Sequence, residues 1–202
     1  MERTEILQII LAIIVLAIVT GFQSIIQFNF INFGLAFVFA IIIIILNVTG
    51  KKITANLLDA DVENKLWFWS RYGLKPGWHL KTSIPIGIIL PLLITAFSLG
   101  VVKVMTILTY DTKALKRRAA QRFGYYSFTE MTDWHNGLIG AVGIVVILLL
   151  SFISYFLGLE YLARMSAFYA FFNMLPIGKL DGAQIYFGSR LLWYTLIIIT
   201  LI

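Results

Sequence analysis

Long apolar runs separated by two polar segments dominate the chain. The five runs cover residues 6–26, 30–48, 84–108, 138–157 and 165–202. A helix of about 20 apolar residues crosses the hydrocarbon core of a bilayer. The pattern therefore predicts an all-α polytopic membrane protein with five to six transmembrane helices, in which residues 1–202 form a single integral membrane domain.

The first apolar run is interpreted as an N-terminal anchor helix, residues 1–28, rather than a signal peptide. It is longer than the roughly 7–15 residues of a signal-peptide core, and it lacks a convincing small-residue cleavage site. At the other end of the chain, residues 191–202 are expected to form the apolar end of the last helix.

Composition and charge agree with a lipid environment. Of the 202 residues, 60% are hydrophobic and 13% are charged, whereas an average soluble domain is about 45–50% apolar. The chain contains no cysteine, which excludes disulfides and thiolate metal sites. The net charge is +6, but the basic residues lie between apolar runs. We therefore expect them to contact anionic lipid headgroups and not nucleic acid.

The two polar segments, residues 49–83 and 109–137, leave the topology open because they carry six and five basic residues, respectively. If the run between them crosses the membrane, the segments lie on opposite sides, and the preference for basic cytoplasmic loops barely separates the two orientations. If the run dips in and returns, both segments are cytoplasmic. Helix-breaking residues permit the second arrangement. They are Pro85, Gly87, Pro91 and Gly100.

The last apolar run is broken by NMLPIGKLDG, residues 173–182, which brings a carboxylate to membrane depth. A charged side chain there costs about 2.5–3.5 kcal/mol, so Asp181 requires a partner or a water-filled cavity. Pro176 interrupts a helix, Asn173 can bond the carbonyls that a kink frees, and Gly182 allows close packing. These residues predict a broken helix with polar groups at depth.

An interfacial alternative for the same stretch stays open. In that arrangement the helix is kinked near the membrane surface. Asp181 then reaches the headgroups or pairs with Lys179 or Arg190.

The broken stretch resembles the N-x-x-P-x-x-x-L-D-G motif of the site-2-protease family, the intramembrane zinc metalloproteases of class M50. The matching residues are Asn173, Pro176, Leu180, Asp181 and Gly182. ADVENKLWFW, residues 60–69, is similar to the segment that follows the active-site helix in archaeal members. The resemblance implies a site-2-protease-like core over residues 29–190, with Asp181 in the place of the third zinc ligand. It also implies residence in the cell membrane of an archaeon.

The same resemblance implies an H-E-x-x-H motif upstream, and its register falls on NVTGK. Asn47 then stands at the first histidine, Val48 at the glutamate and Lys51 at the second histidine. An amide, an aliphatic group and an ammonium cannot replace two imidazoles and a general base. We therefore expect no catalytic residues, no metal and no cofactor. A stripe of small residues, Gly137, Gly140 and Gly143, remains suited to close helix packing.

Without zinc, Asp181 needs another partner, and Lys51 is the predicted one because it stands where a histidine would face the metal. We expect the two side chains to lie within about 4 Å of each other. Lys52 and Lys179 are the alternative partners, since either could reach the same carboxylate.

Two further sets of polar residues lie in the polar segments. Glu130, Asp133 and His135 could form a metal site on a loop or strand, or a polar loop followed by the start of a helix. His79 is interpreted as a residue at the membrane interface.

Two hypotheses about function follow. The first is a catalytically inactive site-2-protease-like membrane protein, acting as a scaffold or accessory subunit that binds other integral membrane subunits. The alternative is an active zinc-dependent intramembrane protease with displaced ligands, in which case zinc is the cofactor.

Overall fold

The computed structural model describes residues 3–71, 79–115 and 131–201. Within these ranges the chain forms seven helices and four short strands. The helices are α1 (Arg3–Ile26), α2 (Phe30–Leu57), α3 (Ile86–Phe97), α4 (Asp133–Phe156), α5 (Glu160–Asn173), α6 (Asp181–Gly188) and α7 (Arg190–Leu201). The strands are β1 (Ala60–Leu66), β2 (Trp69–Arg71), β3 (His79–Ile84) and β4 (Leu108–Ala114).

Three helices, α1, α2 and α4, are long and apolar enough to cross a membrane, while α3 and α7 are apolar but shorter. The mostly helical fold and these three helices agree with a membrane protein. Helix α2 continues nine residues beyond the predicted end at Val48, because its buried face continues through Lys51 and Ala55 at helical spacing.

The expectation of an all-α fold is wrong in detail, because the polar segments contain two small antiparallel sheets. Strand β1 pairs with β4 from Ala60↔Ala114 to Leu66↔Leu108, and β2 pairs with β3. Along β1 every second residue is buried, which is the periodicity of a strand with one covered face.

The segment between β1 and β4 enters the fold and returns to the same place. Helix α3 has 12 residues, about 18 Å at 1.5 Å per residue, which is too short for a core of about 30 Å. The chain then runs back to β4, where the Trp67 amide donates to the Ile107 carbonyl at 2.9 Å. Both ends of residues 84–108 lie on strands, with Ile84 paired to Trp69 and Leu108 paired to Leu66, so this out-and-back path agrees with the re-entrant alternative.

The re-entrant segment divides the molecule into two ends. We call the end with the strands the sheet end. The opposite end, formed by residues 22–35, 95–104 and 152–165, is called the turn end. Helix α1 connects the two ends, since Gln8 at its start contacts β1 and Gln23 near its finish contacts the tip of the re-entrant segment at Gly100.

The predicted anchor helix α1 is an integral part of the core. Leu16 and Val19 are fully buried in the same apolar cluster as Ile44 on α2 and Ile144 on α4. Near its start, α1 also covers the outer edge of β1, which would otherwise offer unpaired amides. Glu5 Oε1 accepts from the Asn64 amide at 3.1 Å, and Gln8 Oε1 accepts from the Leu66 amide at 3.2 Å.

The predicted broken helix is confirmed. Helix α5 ends at Asn173, and α6 begins at Asp181 after a turn in which Gly178 has a φ of +60°. At Gly182 the backbones approach so closely that an added Cβ would lie 2.7 Å from the Met174 Cα atom. A second break follows α6, so the predicted C-terminal helix end, 191–202, lies in a separate helix, α7.

Candidate functional site

The candidate site begins on α2, where Asn47 and Lys51 are four residues apart and therefore share one face of the helix. Both side chains are buried, with exposed fractions of 0% and 1%. This face is packed against α4, whose glycines make room for the two polar side chains. A Cβ added at Gly143 would lie 2.8 Å from the Lys51 Cε atom and 3.2 Å from the Asn47 amide nitrogen. The predicted role of the glycine stripe in close packing is confirmed at this position.

Asp181, the first residue of α6, completes the site from the other side. Its side chain is buried, and its Oδ2 atom lies 2.6 Å from the Lys51 Nζ atom. The predicted Lys51–Asp181 ion pair is confirmed. The contact is a close ion pair, and Oδ1 accepts no hydrogen bond from the described residues. The position at the start of a helix also favours a negative charge, because the helix dipole is positive there.

The alternative partners of Asp181 are engaged elsewhere. Lys52 forms an ion pair with Glu5 at 2.8 Å, and the mostly exposed Lys179 lies 3.8 Å from an Asp111 oxygen. The Arg190 guanidinium stacks over the ring of Tyr186 at 5.7 Å. The prediction that Asp181 reaches the headgroups or pairs with Lys179 or Arg190 is therefore wrong, since this carboxylate is buried and paired with Lys51.

Tyr110 on β4 closes the site towards the sheet end. Lys51 Nζ lies 4.8 Å from the centre of its ring, within the range of a cation–π interaction. The hydroxyl donates to the Asn136 carbonyl at 2.6 Å, and Gly140 leaves room for it. Burial raises the pKa of the Tyr110 hydroxyl well above its usual range. Nothing in the local sequence indicates this role, because Tyr110 lies in a polar segment.

Asn173 joins the site to the re-entrant segment. Its Nδ2 atom donates to the carbonyls of Tyr169 at 2.8 Å and of Met105 at 3.3 Å. Neither is a carbonyl that the kink at Pro176 frees, because Tyr169 lies one turn back within α5 and Met105 belongs to the returning chain. The prediction that Asn173 bonds the freed carbonyls is therefore wrong, and Asn173 instead joins α5 to the returning chain.

Several polar atoms at the site keep unused hydrogen-bonding capacity. Both polar side-chain atoms of Asn47, Oδ1 of Asn173 and Oδ1 of Asp181 have no hydrogen-bond partner among the described residues. Each orphaned atom costs about 1–3 kcal/mol when it is buried dry. A small polar molecule beside the ion pair could therefore form hydrogen bonds with these atoms.

The donor set does not fit a zinc site. Val48 is buried and aliphatic, and the Lys51 ammonium lies against the carboxylate where the resemblance puts the metal. A cation at this position repels a dication. Over the described ranges, no group of three or more His, Cys, Asp or Glu residues could hold a metal ion. The arrangement can hold α2 and α6 together.

A groove of about 610 Å³ lies beside the site, and Tyr110 contributes to its lining. Strand β4 forms one wall, and residues at the start of α4 and along α6 form the other. Gln184 occupies one backbone acceptor on the edge of β4, because its Nε2 atom donates to the Tyr110 carbonyl at 2.9 Å.

The other candidate polar residues lie apart from the ion pair. Thr132 caps α4, and its hydroxyl accepts from the His135 amide at 3.4 Å. Asp133 and His135 thus belong to a helix start, as one of the two interpretations held, while Glu130 lies outside the described residues. His79 is the first residue of β3.

Comparisons with protein-family models, curated proteins and solved structures find no match to this chain.

Proposed function

We propose that this chain is a catalytically inactive relative of the site-2 proteases, and that it acts as a membrane scaffold or accessory subunit for other integral membrane proteins. One observation carries the proposal. The buried ion pair between Lys51 and Asp181 occupies the place where the resemblance implies zinc, with 2.6 Å between the charged atoms. An ammonium there supplies the positive charge that Asp181 needs, but it cannot activate water.

The membrane arrangement belongs to the same proposal. Helices α1, α2 and α4 cross the bilayer, the broken pair α5–α6 forms a fourth crossing, and α7 enters as a fifth. The resemblance to archaeal members further suggests the cell membrane of an archaeon. Among the described residues, Lys65, Lys81 and Lys113 lie on the strands of the sheet end, and these basic residues favour a cytoplasmic sheet end.

Partner binding is supported by the surface that surrounds the closed site. The groove beside β4 contains the backbone edge of a strand, which is a general site for pairing with another chain. The outer faces of the helices also carry exposed aromatic and aliphatic side chains, including Phe152 and Phe187 at 63% and 75% exposure. Such faces suit lipid and the apolar helices of other membrane subunits.

Metal analysis tests the loss of catalysis. Purified wild-type protein, incubated with zinc and dialysed, is expected to retain no stoichiometric zinc. The variant Asn47→His/Lys51→His brings two imidazoles four residues apart next to Asp181, and we expect it to bind zinc. Its matched control, the same variant with Asp181→Ala, should lose that zinc. Stoichiometric zinc in the wild type that disappears with Asp181→Ala would support the protease alternative instead.

Partner binding is tested by purification from native membranes in mild detergent, followed by protein identification and mass measurement of the intact particle. A membrane subunit present in a fixed ratio to this chain, and retained through two different affinity tags, is the expected result. A chain that elutes alone from every mild detergent would contradict the scaffold role.

A further inference from the structure

The turn end of the molecule exposes large hydrophobic side chains at the tips of its three turns. The first turn also exposes the uncharged polar side chains of Gln27, Asn29 and Asn32. Exposed fractions are 80% for Ile31, 86% for Phe97, 75% for Val101 and 68% for Leu157. Loops that emerge into water are normally polar, and exposed apolar patches of this kind mark contacts with a membrane or with protein.

The three turns are neighbours in space and form one surface. The tip of the re-entrant segment reaches α1, because an added Cβ at Gly100 would lie 2.8 Å from Gln23 Cγ. The start of α5 reaches the same region, since the Tyr161 hydroxyl donates to the Thr20 carbonyl at 2.8 Å. Tyr161 also contacts the ring of Phe39 on α2.

All three turns close their backbones in the same way. Each ends its helix with a Schellman motif, in which two amides beyond the helix return to its last free carbonyls. The 6→1 bonds run from Asn29 to Ser24, from Gly100 to Thr95 and from Leu159 to Ser154, at 2.8–2.9 Å. The 5→2 bonds run from Phe28 to Ile25, from Leu99 to Ala96 and from Gly158 to Tyr155, each at 3.1 Å.

Two of these motifs are made at a conformational cost. Phe28 and Leu99 adopt φ values of +54° and +52°, a region that side chains with a Cβ rarely occupy. Water could satisfy the same carbonyls without this strain. Closing them internally is instead the condition for a backbone that lies in lipid, where no water is available to pair with it.

Charged residues are fewer at the turn end than at the sheet end. Across the three ranges of the turn end, the charged residues are Lys103, Glu160 and Arg164. Glu160 and Arg164 pair with each other at 3.1 Å, and Lys103 lies 5.8 Å from the centre of the Tyr161 ring. The strands of the sheet end, by contrast, carry the charged residues Glu63, Lys65, Lys81, Asp111 and Lys113.

We infer that the turn end does not emerge into water but lies in the bilayer, with its three apolar turns immersed at the boundary between headgroups and acyl chains. The partner of this surface is therefore the phospholipid leaflet itself. This inference rests on the proposed membrane residence of the chain, and it is independent of the proposed loss of catalysis.

Spin labelling tests the inference directly, because the chain has no cysteine to remove. Single cysteines would replace Ile31, Phe97 and Leu157 at the turn end, with Asp61→Cys and Lys113→Cys as controls at the sheet end. Each labelled protein is placed in vesicles of phosphatidylcholine and phosphatidylglycerol. The collision of the label with oxygen, which partitions into lipid, is compared with its collision with a water-soluble nickel chelate.

The turn-end labels are expected to collide severalfold more with oxygen than with nickel, and the sheet-end labels to show the reverse. Nickel access at the turn end equal to that at the sheet end would overturn the inference. Labels closed to both reagents would also overturn it, because they would place protein, not lipid, on this surface. Oxygen access at neither end would instead refute membrane residence. If a labelled variant fails to fold, Val101→Cys or Phe156→Cys, both at exposed positions, replaces it.

Discussion

At the scale of single residues, Lys51 and Asp181 stabilise the fold only as a pair. Each charge is buried to 1% exposure or less, so losing one partner leaves the other uncompensated. Replacing both partners by apolar residues removes both costs together, which is often close to neutral.

Lys51→Met is expected to lower the free energy of unfolding by about 3–5 kcal/mol, measured in mixed micelles. The double variant Lys51→Met/Asp181→Leu should recover most of that loss. The matched control is Lys179→Met, which breaks an exposed pair and should cost less than about 1 kcal/mol. A Lys51→Met variant as stable as the wild type would contradict the structural role of the pair.

The stability of the fold is expected to depend on pH through the hydroxyl of Tyr110. Its pKa is raised by burial, so the folded state holds the proton more tightly than the unfolded state. The resulting stability is complete below the unfolded pKa of about 10 and is lost as the pH rises from there through the folded pKa.

Tyr110→Phe is therefore expected to reduce the loss of stability in alkali, and to cost about 0.5–1.5 kcal/mol at neutral pH through the lost hydrogen bond. Unfolding curves recorded at neutral pH and above pH 10 check this result. Tyr194→Phe, at a position with 52% exposure, serves as control. An unchanged alkaline loss in Tyr110→Phe would refute the assignment.

At the scale of elements, α4 shows how glycines position the site. A side chain at Gly143 would press on Lys51 and Asn47, whereas an added Cβ at Gly34 on α2 meets nothing within 4 Å. A side chain is therefore excluded by packing at Gly143 but not at Gly34. Comparing alanine substitutions at the two positions separates the effect of packing from the effect of backbone entropy.

Gly143→Ala is expected to destabilise the protein by about 1–3 kcal/mol through overpacking, while Gly34→Ala should be neutral or stabilise it by up to about 1 kcal/mol. Unfolding in the same micelles measures both. Equal effects of the two variants would show that Gly143 does not make room for the ion pair.

The sequence predicted the long helices, the broken helix and the ion pair, because hydropathy, proline and register carry that information locally. It did not predict β1 and β4, since their pairing joins residues such as Asn64 and Tyr110 that are distant in sequence. Glu5 and Gln8 were also missed. They look like the polar start of an apolar helix, and only the fold brings them to the edge of β1.

At the scale of the whole molecule, the path of residues 84–108 decides how the described basic residues are distributed. Lys65, Lys81 and Lys113 all lie on the strands of the sheet end. This is the distribution expected of a cytoplasmic face.

Asp61→Cys and Lys113→Cys are therefore expected to react with a membrane-impermeant maleimide only when the reagent reaches the cytoplasmic side. Labelling of intact cells is compared with labelling of permeabilised cells, and the permeabilised sample shows that each cysteine is reactive. If intact cells are labelled as strongly as permeabilised cells, the sheet end faces the outside and the proposed orientation is wrong.

The buried ion pair also sets an order of events in biosynthesis. Lys51 leaves the ribosome roughly 130 residues before Asp181, so in the proposed membrane arrangement α2 would enter the bilayer with a lysine whose partner does not yet exist. Until then the ammonium can stay hydrated by reaching towards the headgroups. Once Asp181 has been synthesised, its carboxylate can pair with the Lys51 ammonium inside the protein. Helix α2, which is synthesised early, is then held in place by a residue that is synthesised late. A chain whose synthesis stops before Asp181 would lack this ion pair and would remain a substrate for the proteases that remove unfinished membrane proteins.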